Sequence, residues 1–463
     1  MFPVFRRYQQ FVFFPTLFAV LLLVALKSTG TCDAGDSITH FLFARWAPLH
    51  PERFLDHWGK PVFTLLAAPF AQFGFTGIKL FNVLVAICTA ISVQRIAALM
   101  GLRNSWLAGL FLFLFPLYTI TVFSGLTEPL FGLVLSYAVL MMLKGKNIFS
   151  SILFSLLPFC RSEGLIVIIV VGAYFLLSRK FKFIPFLATG HILFAIAGYP
   201  VYHDLFWVFD RIPYRGDAGY GQGDWLHFFE QAPYIFGLPL LMPLVIGLSF
   251  VLRMKRGNAE WTKTFFLIDG IFLAVFFAHV IFWRFGLFNS DGLKRVMVAI
   301  LPLASVIALC GFEDLAQWLS RGIFIFGKMV IALLLTYILI FPFLPNPAAF
   351  DLKNDFSLTP DERAMDDAAA FIEKNFSDHI VYSSQNYMAL ALHRDFFDRT
   401  VYVPFTGPLD WKDLPARSVL VLDDWFGRRE GKISEWEITA AGFKREGAFT
   451  EDGKTIVVFR KGS

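Results

Sequence analysis

Residues 11–40 read FVFFPTLFAVLLLVALKSTGTCDAGDSITH, and the change of character halfway along this stretch decides the fold class. Its first half, Phe11 to Leu26, is almost wholly apolar and follows Arg6 and Arg7. A helix needs about 20 apolar residues to cross the hydrocarbon core of a bilayer. No small-residue cleavage site follows convincingly, so the run reads as a retained first span and not a signal peptide. The second half turns polar and acidic, as an aqueous loop must. The whole chain repeats this contrast. Of its 463 residues, 56% are hydrophobic and 17% charged, with 57 Phe and a mean hydropathy of +0.60. Ordinary globular chains carry about 25% charged residues, so a soluble enzyme and a disordered chain are both excluded. Cys32, Cys88, Cys160 and Cys310 form no CxxC pair, which excludes a zinc ribbon or a disulfide framework.

Further spans are expected near 77–99, 105–122, 126–143, 148–160, 165–177, 183–202, 233–252, 264–283, 296–311 and 323–344. The expected fold is therefore an all-α polytopic membrane protein of about eleven helices. The runs 148–160 and 165–177 are short and read as a sunken helical pair tipped by Arg161-Ser162-Glu163-Gly164. The run 62–73, punctuated by prolines, reads as an interfacial or re-entrant helix. Lys and Arg collect in cytoplasmic loops. Putting the N-terminus inside gathers Arg95/Arg103, Lys144/Lys146, Arg179/Lys180/Lys182, Arg253/Lys255/Arg256/Lys263 and Arg321 on that side. The acids Asp33, Asp36, Glu52, Asp56, Glu128, Glu163 and Asp291 then fall on the other. An odd number of spans leaves the C-terminus outside, in the plasma membrane of a bacterium or the endoplasmic reticulum membrane of a eukaryote.

Composition changes again after Leu344. Residues 1–345 are expected to form the membrane domain, and 346–463 a small extracytoplasmic α/β domain. Thr359-Pro360-Asp361-Glu362 is a capping box with Pro in the first helical turn. It opens a helix with Met365, Ala368, Ala369, Ile372 and Phe376 on its apolar face. Strands follow at His379–Ser383, Thr400–Val403 and Ser418–Leu422, with helices at Gln385–His393 and Lys432–Ala440. A hairpin around Asp452-Gly453 closes the chain. No Gly-rich phosphate loop is present, so neither a nucleotide cofactor nor a nucleic-acid partner is expected.

Intramembrane ionisable groups, the mark of pumps and ion-coupled carriers, are few; Asp269, His191 and His279 are the candidates. Chemistry is thus expected at the outer face. Asp36 or Asp33, just beyond the first span, could serve as a general base or could simply cap the next helix. His40 and His57 accompany them, without the close spacing of a metal site. Arg161, Lys294 and Arg295 lie on one membrane side and could together grip a phosphate, although Arg at the start of a span is also a common interfacial anchor. The 203–231 loop, with Tyr214-Arg215 and Asp217, suits a sugar-binding surface and equally an ordinary interfacial loop.

Taken in order, Gly35-Asp36, HWGKPVFTLLAAPF (57–70), SGLTEPLF (124–131), RSEG (161–164) and GLKRVMVAILPL (292–303) resemble the GT-C superfamily of membrane glycosyltransferases. That group includes the protein O-mannosyltransferases, the aminoarabinose lipid A transferases and the mannosyltransferases of glycosylphosphatidylinositol assembly. SGLTEP and RSEG look most like the last of these and their bacterial relatives. The resemblance implies that Asp36 is the first-loop catalytic carboxylate and that Arg295 contacts a donor phosphate. Asp33, His40, His57, Glu128, Arg161, Glu163 and Lys294 would line the substrate site. It implies a polyprenyl-phosphate-linked sugar donor, a lipid, glycan or protein acceptor, and inversion, with no metal or other cofactor. A transporter of lipids or polyprenyl-linked sugars is the competing reading. It should show paired inverted repeats and helices broken at the midplane.

Overall fold

The computed structural model describes the backbone of residues 3–33, 35–213, 220–253, 259–320 and 324–462. Side chains are described for 12–33, 35–213, 220–249, 262–319 and 326–462. The expected sugar-binding segment Tyr214-Arg215-Gly-Asp217 and the cytoplasmic cations Lys255, Arg256 and Arg321 lie outside the described residues.

Helices dominate the first three-quarters of the chain. Among the described residues, five are long and apolar enough to cross a membrane: Gly74–Leu99, Phe181–Tyr202, Thr262–Phe285, Lys294–Leu319 and Phe326–Phe343. Six shorter apolar helices accompany them: Val12–Lys27, Pro61–Ala71, Glu128–Leu143, Asn147–Phe159, Gly164–Leu177 and Leu238–Ser249. The chain is an integral membrane protein. Burial sorts the long helices. Lys294–Leu319 is central, with 94% of its most apolar stretch buried, whereas Phe181–Tyr202 and Phe326–Phe343 bury only 17% and 22% of theirs. Side chains such as Ile192, Ile196, Met329 and Leu333 remain exposed there, as lipid-facing residues should. The central helix packs closely because small residues let backbones approach. A Cβ on Gly311 would meet the Pro243 carbonyl oxygen at 1.9 Å, and one on Gly247 would meet that of Ile307 at the same distance.

Two expected spans are corrected. Residues 105–122 form two helices, Trp106–Leu114 and Pro116–Val122, with Phe115 extended between them (φ −76°, ψ 109°). The cause is local: the ring of Pro116 disfavours helical backbone at the residue before it. Residues 233–252 are likewise divided, into Ala232–Phe236 and Leu238–Arg253, at Gly237 with φ 70°.

The chain divides into two compact units, Met1–Leu26 with Leu55–Phe63 and Lys79–Asp351, and Lys27–Phe54 with Thr64–Ile78 and Leu352–Ser463. The second contains a five-stranded sheet of order β2-β1-β3-β5-β4, from β1 (Ile380–Ser383), β2 (Tyr402–Pro404), β3 (Ser418–Leu422), β4 (Phe443–Glu451) and β5 (Lys454–Lys461). The first three strands are parallel; β5 runs antiparallel to β3 and pairs with β4 in the hairpin expected at Asp452-Gly453. Helix Pro360–Asn375 carries the expected capping box and buries Met365, Ala368, Ala369 and Ile372. The π-helical turn Asp424–Glu430 is an addition the sequence pattern did not suggest. This unit also takes in Lys27–Phe54, most of the loop after the first apolar run.

Candidate functional site

Within the first unit, the turns before Glu128 and around Arg161 converge on buried charges. Glu128 begins helix Glu128–Leu143, where an acid is favoured by the helix dipole. It is fully buried. The turn before it is fixed by Asn82, whose amide donates to the Ser124 and Leu126 carbonyls at 2.8 and 3.2 Å. Arg161 stands in the tight turn between Leu157–Phe159 and Gly164–Leu177. Glycine is required at 164, because a Cβ there would meet Leu157 C and Pro158 N at 2.3 Å. That close turn places the Arg161 guanidinium between two carboxylates.

Arg161 Nη1 lies 2.8 Å from Glu128 Oε1, and Nη2 lies 2.8 Å from Glu163 Oε1. Nε adds a 3.2 Å bond to the same Glu163 oxygen, and Nη1 a 3.3 Å bond to Thr127 Oγ1. On the far side, Arg295 Nη1 is 3.9 Å from Glu128 Oε1, and His279 Nε2 is 3.6 Å from Glu163 Oε1. Lys60 donates to the Ser162 hydroxyl at 3.3 Å. Burial alone would raise the Glu163 carboxyl; Arg161 and then His279 outweigh it and bring it down to about 2. Burial opposes the charge on Arg161, yet Glu128 and Glu163 hold it above its ordinary range. Neither Glu128 oxygen receives an aligned hydrogen bond among the described residues, so Arg161 acts on it as an ion pair rather than a directed donor. A buried carboxylate in this condition can take a hydroxyl donor from a substrate.

The expected residues are placed unequally. Glu128, Arg161, Glu163 and Arg295 come together. Lys294 is exposed and rests its ammonium 4.8 Å over the Tyr234 ring. His57 is packed against Phe159 and Trp207 and sets its Nε2 3.1 Å from the Val208 carbonyl. Burial, and then Lys60, lowers it to about 4. The sequence reading did not single out Lys60 or Thr127 as site residues, although both lie inside the quoted motifs HWGKP and SGLTEP. Thr127 is a neighbour of Glu128, and Lys60 is joined to the cluster through Ser162.

The second unit holds Asp33, Asp36 and His40. Helix Asp36–Trp46 starts at Asp36, with Gly35 as its N-cap residue and no side-chain cap bond. Asp33 Oδ1 accepts from the Gly35 amide at 2.6 Å, so Asp33 shapes the turn while Asp36 occupies the first helical position. Both are half-buried; His40 is buried on the same helix.

No protein-family model matches the sequence, and no curated protein matches it. Among solved structures, the crystal structure of ArnT from Cupriavidus metallidurans in the apo state is similar, with a TM-score of 0.61. The match covers 98% of this chain and 98% of that one at 12% identity. At that identity it is the fold alone that is shared: a largely helical chain with a small C-terminal sheet domain.

Proposed function

We propose that this protein is a membrane glycosyltransferase that moves a sugar, a hexose such as mannose, from a polyprenyl-phosphate donor to an acceptor on the outer membrane face. Residues 1–345 form the catalytic membrane domain in this reading, and 346–463 face outward with the C-terminus. Asp36 accepts or orients the proton of the acceptor hydroxyl. Arg295 stabilises the phosphate charge that grows as the donor departs, the kind of preorganised electrostatic help that acts most strongly in the transition state. Because a phosphate leaving group needs no protonation, one carboxylate suffices, and the sugar inverts.

The observation that carries the reading is the buried cluster of Glu128, Arg161, Glu163 and Arg295. Arg161 is tied to two carboxylates, and Arg295 Nη1 lies 3.9 Å from one of them. In this reading Arg161 is the internal counter-ion, and Arg295 the cation directed to the donor. The ArnT-like fold supports the same reaction class. The test is incubation of the purified protein in detergent with radiolabelled polyprenyl-phosphate mannose and a host lipid extract. Label should leave the donor and appear on a new acceptor. If it stays on the donor but crosses sealed vesicles containing the protein, the molecule is a transporter instead.

A further inference from the structure

We infer that the C-terminal α/β domain is a positioning element for Asp36, acting through the turn at residues 31–39. The inference rests on the glycosyltransfer reading for the role of Asp36, but its structural basis lies wholly within the second compact unit.

Three residues at four-residue intervals tie that turn to three different parts of the domain. The Thr31 hydroxyl donates to Glu362, the fully buried acid that also closes the capping box of helix Pro360–Asn375. At Gly35 the backbone lies against Phe426, whose Cζ would be 3.5 Å from a Cβ built there. Thr39 Oγ1 accepts from Asn386 Nδ2 at 2.8 Å. Just upstream, the Thr29 and Gly30 amides both donate to the Phe356 carbonyl at 3.0 Å.

The turn is also braced from within. Thr39 returns its own proton to the Gly35 carbonyl at 2.8 Å. Ser37 Oγ donates to the Thr31 carbonyl at 2.7 Å, and Asp33 holds the Gly35 amide. Asp36 therefore sits at the centre of a segment whose neighbours on both sides have fixed partners. Holding a reacting group to within a fraction of an ångström is what makes it effective, and a shift of about 1 Å can cost a hundredfold.

The location within the sheet supports the same conclusion. Asn386 follows the carboxyl end of β1, and Phe426 follows that of β3. From β1 the chain moves to β2 on one side, and then crosses back to β3 on the other. In open α/β sheets, ligands enter beyond the carboxyl ends of strands where the crossovers diverge. Here Ser384 and Asp423 close that edge with a 2.5 Å bond, and the chain's own 35–39 turn lies against the two loops. The position that would hold a ligand in a free-standing domain holds the candidate catalytic segment.

The experiment compares Thr39→Val, Thr39→Ser, Asn386→Ala and Asp36→Asn in the full-length protein. Each is assayed with polyprenyl-phosphate mannose and host lipid extract, and followed by hydrogen–deuterium exchange over residues 28–46. Thr39→Val and Asn386→Ala should each lower kcat about ten- to a hundredfold, with donor KM unchanged within about twofold. Thr39→Ser, which keeps the hydroxyl, should restore most of the rate. Amide exchange at residues 35–39 should rise in the two damaged variants and stay slow in Thr39→Ser. Normal kcat in Thr39→Val and Asn386→Ala while Asp36→Asn is inactive would overturn the positioning role and leave the glycosyltransfer reading standing. Full activity in Asp36→Asn would instead remove the reading on which it rests. If no donor is turned over, exchange alone decides, and unchanged exchange in both damaged variants refutes the inference.

Discussion

Glu128 and Asp36 are both acids in the first turn of a helix, yet they are held by different physics. Glu128 is fully buried and is balanced by the guanidinium of Arg161, itself shared with Glu163. Around Asp36 the segment is fixed by directed hydrogen bonds from the hydroxyls of Thr31, Ser37 and Thr39 and from the amides of Gly35 and Asn386. A carboxylate in a low-dielectric interior must be paired or lose its charge. The comparison teaches that two acids with the same helical address are held differently, Glu128 by an ion pair in the interior and Asp36 within a turn that directed hydrogen bonds brace.

The contrast can be broken most directly at Asp36. Asp36→Asn should lower turnover about 10²–10⁴-fold, the range of a positioned general base, with expression and thermal unfolding unchanged. Activity within a few-fold of the parent would make Asp36 a turn residue and erase the difference from Glu128.

Arg161→Ala should act on stability. Removing one partner of a buried charge pair leaves uncompensated charge and costs about 3–5 kcal/mol, so the variant should unfold at markedly lower temperature in detergent. Arg161→Ala that melts like the parent would show that water or another cation satisfies Glu128 and Glu163.

Arg295→Ala should weaken donor binding by roughly ten- to a hundredfold, the equivalent of about 1.5–3 kcal/mol for a charge-assisted contact, and Arg295→Lys should recover only part. Arg presents a planar fork to two phosphate oxygens, whereas Lys offers a point charge. Complete rescue by Lys would reduce Arg295 to an interfacial anchor, since either cation can snorkel.

The smallest effect is a pH dependence. His57 is lowered from 6.5 to about 4, so the unfolded chain takes up a proton before the folded one as pH falls. Its contribution to stability is intact above 6.5 and is lost between 6.5 and about 4. That amounts to a loss on the order of 2 kcal/mol by about pH 5. His57→Gln, which keeps a donor for the Val208 carbonyl, should flatten the fall in unfolding temperature between about pH 7.5 and pH 5. An equally steep fall in that variant would assign the pH dependence to other groups.

Much of the architecture was legible because hydropathy and punctuation act locally. The apolar runs at 77–99, 264–283 and, over its described residues, 323–344 became largely helical, since in lipid every backbone amide must be satisfied within its own segment. Thr359 and Glu362 capped their helix because the box needs only residues three apart. The break at Phe115–Pro116 was also written in the sequence, and was overlooked because a hydropathy window does not register proline. Part of the candidate site was legible for a different reason: charges flanked by apolar residues at Glu128 and Arg161 had to find one another once buried. Lys60 was harder, since its bond to the cluster runs to a hydroxyl on another segment, about a hundred residues away.

What the sequence determined by itself was the class of molecule: apolar runs of spanning length, a charge bias between loops, and a polar C-terminal segment with strand and cap signals. Those features follow from the solvent each residue requires, which composition records. Only the tertiary structure decided that Arg161 lies between Glu128 and Glu163, and that Thr31, Gly35 and Thr39 meet Glu362, Phe426 and Asn386. The Thr31–Glu362 contact spans 331 positions, and no local pattern encodes a partner that distant. Burial and hydrogen-bond satisfaction select it only when the whole unit has closed.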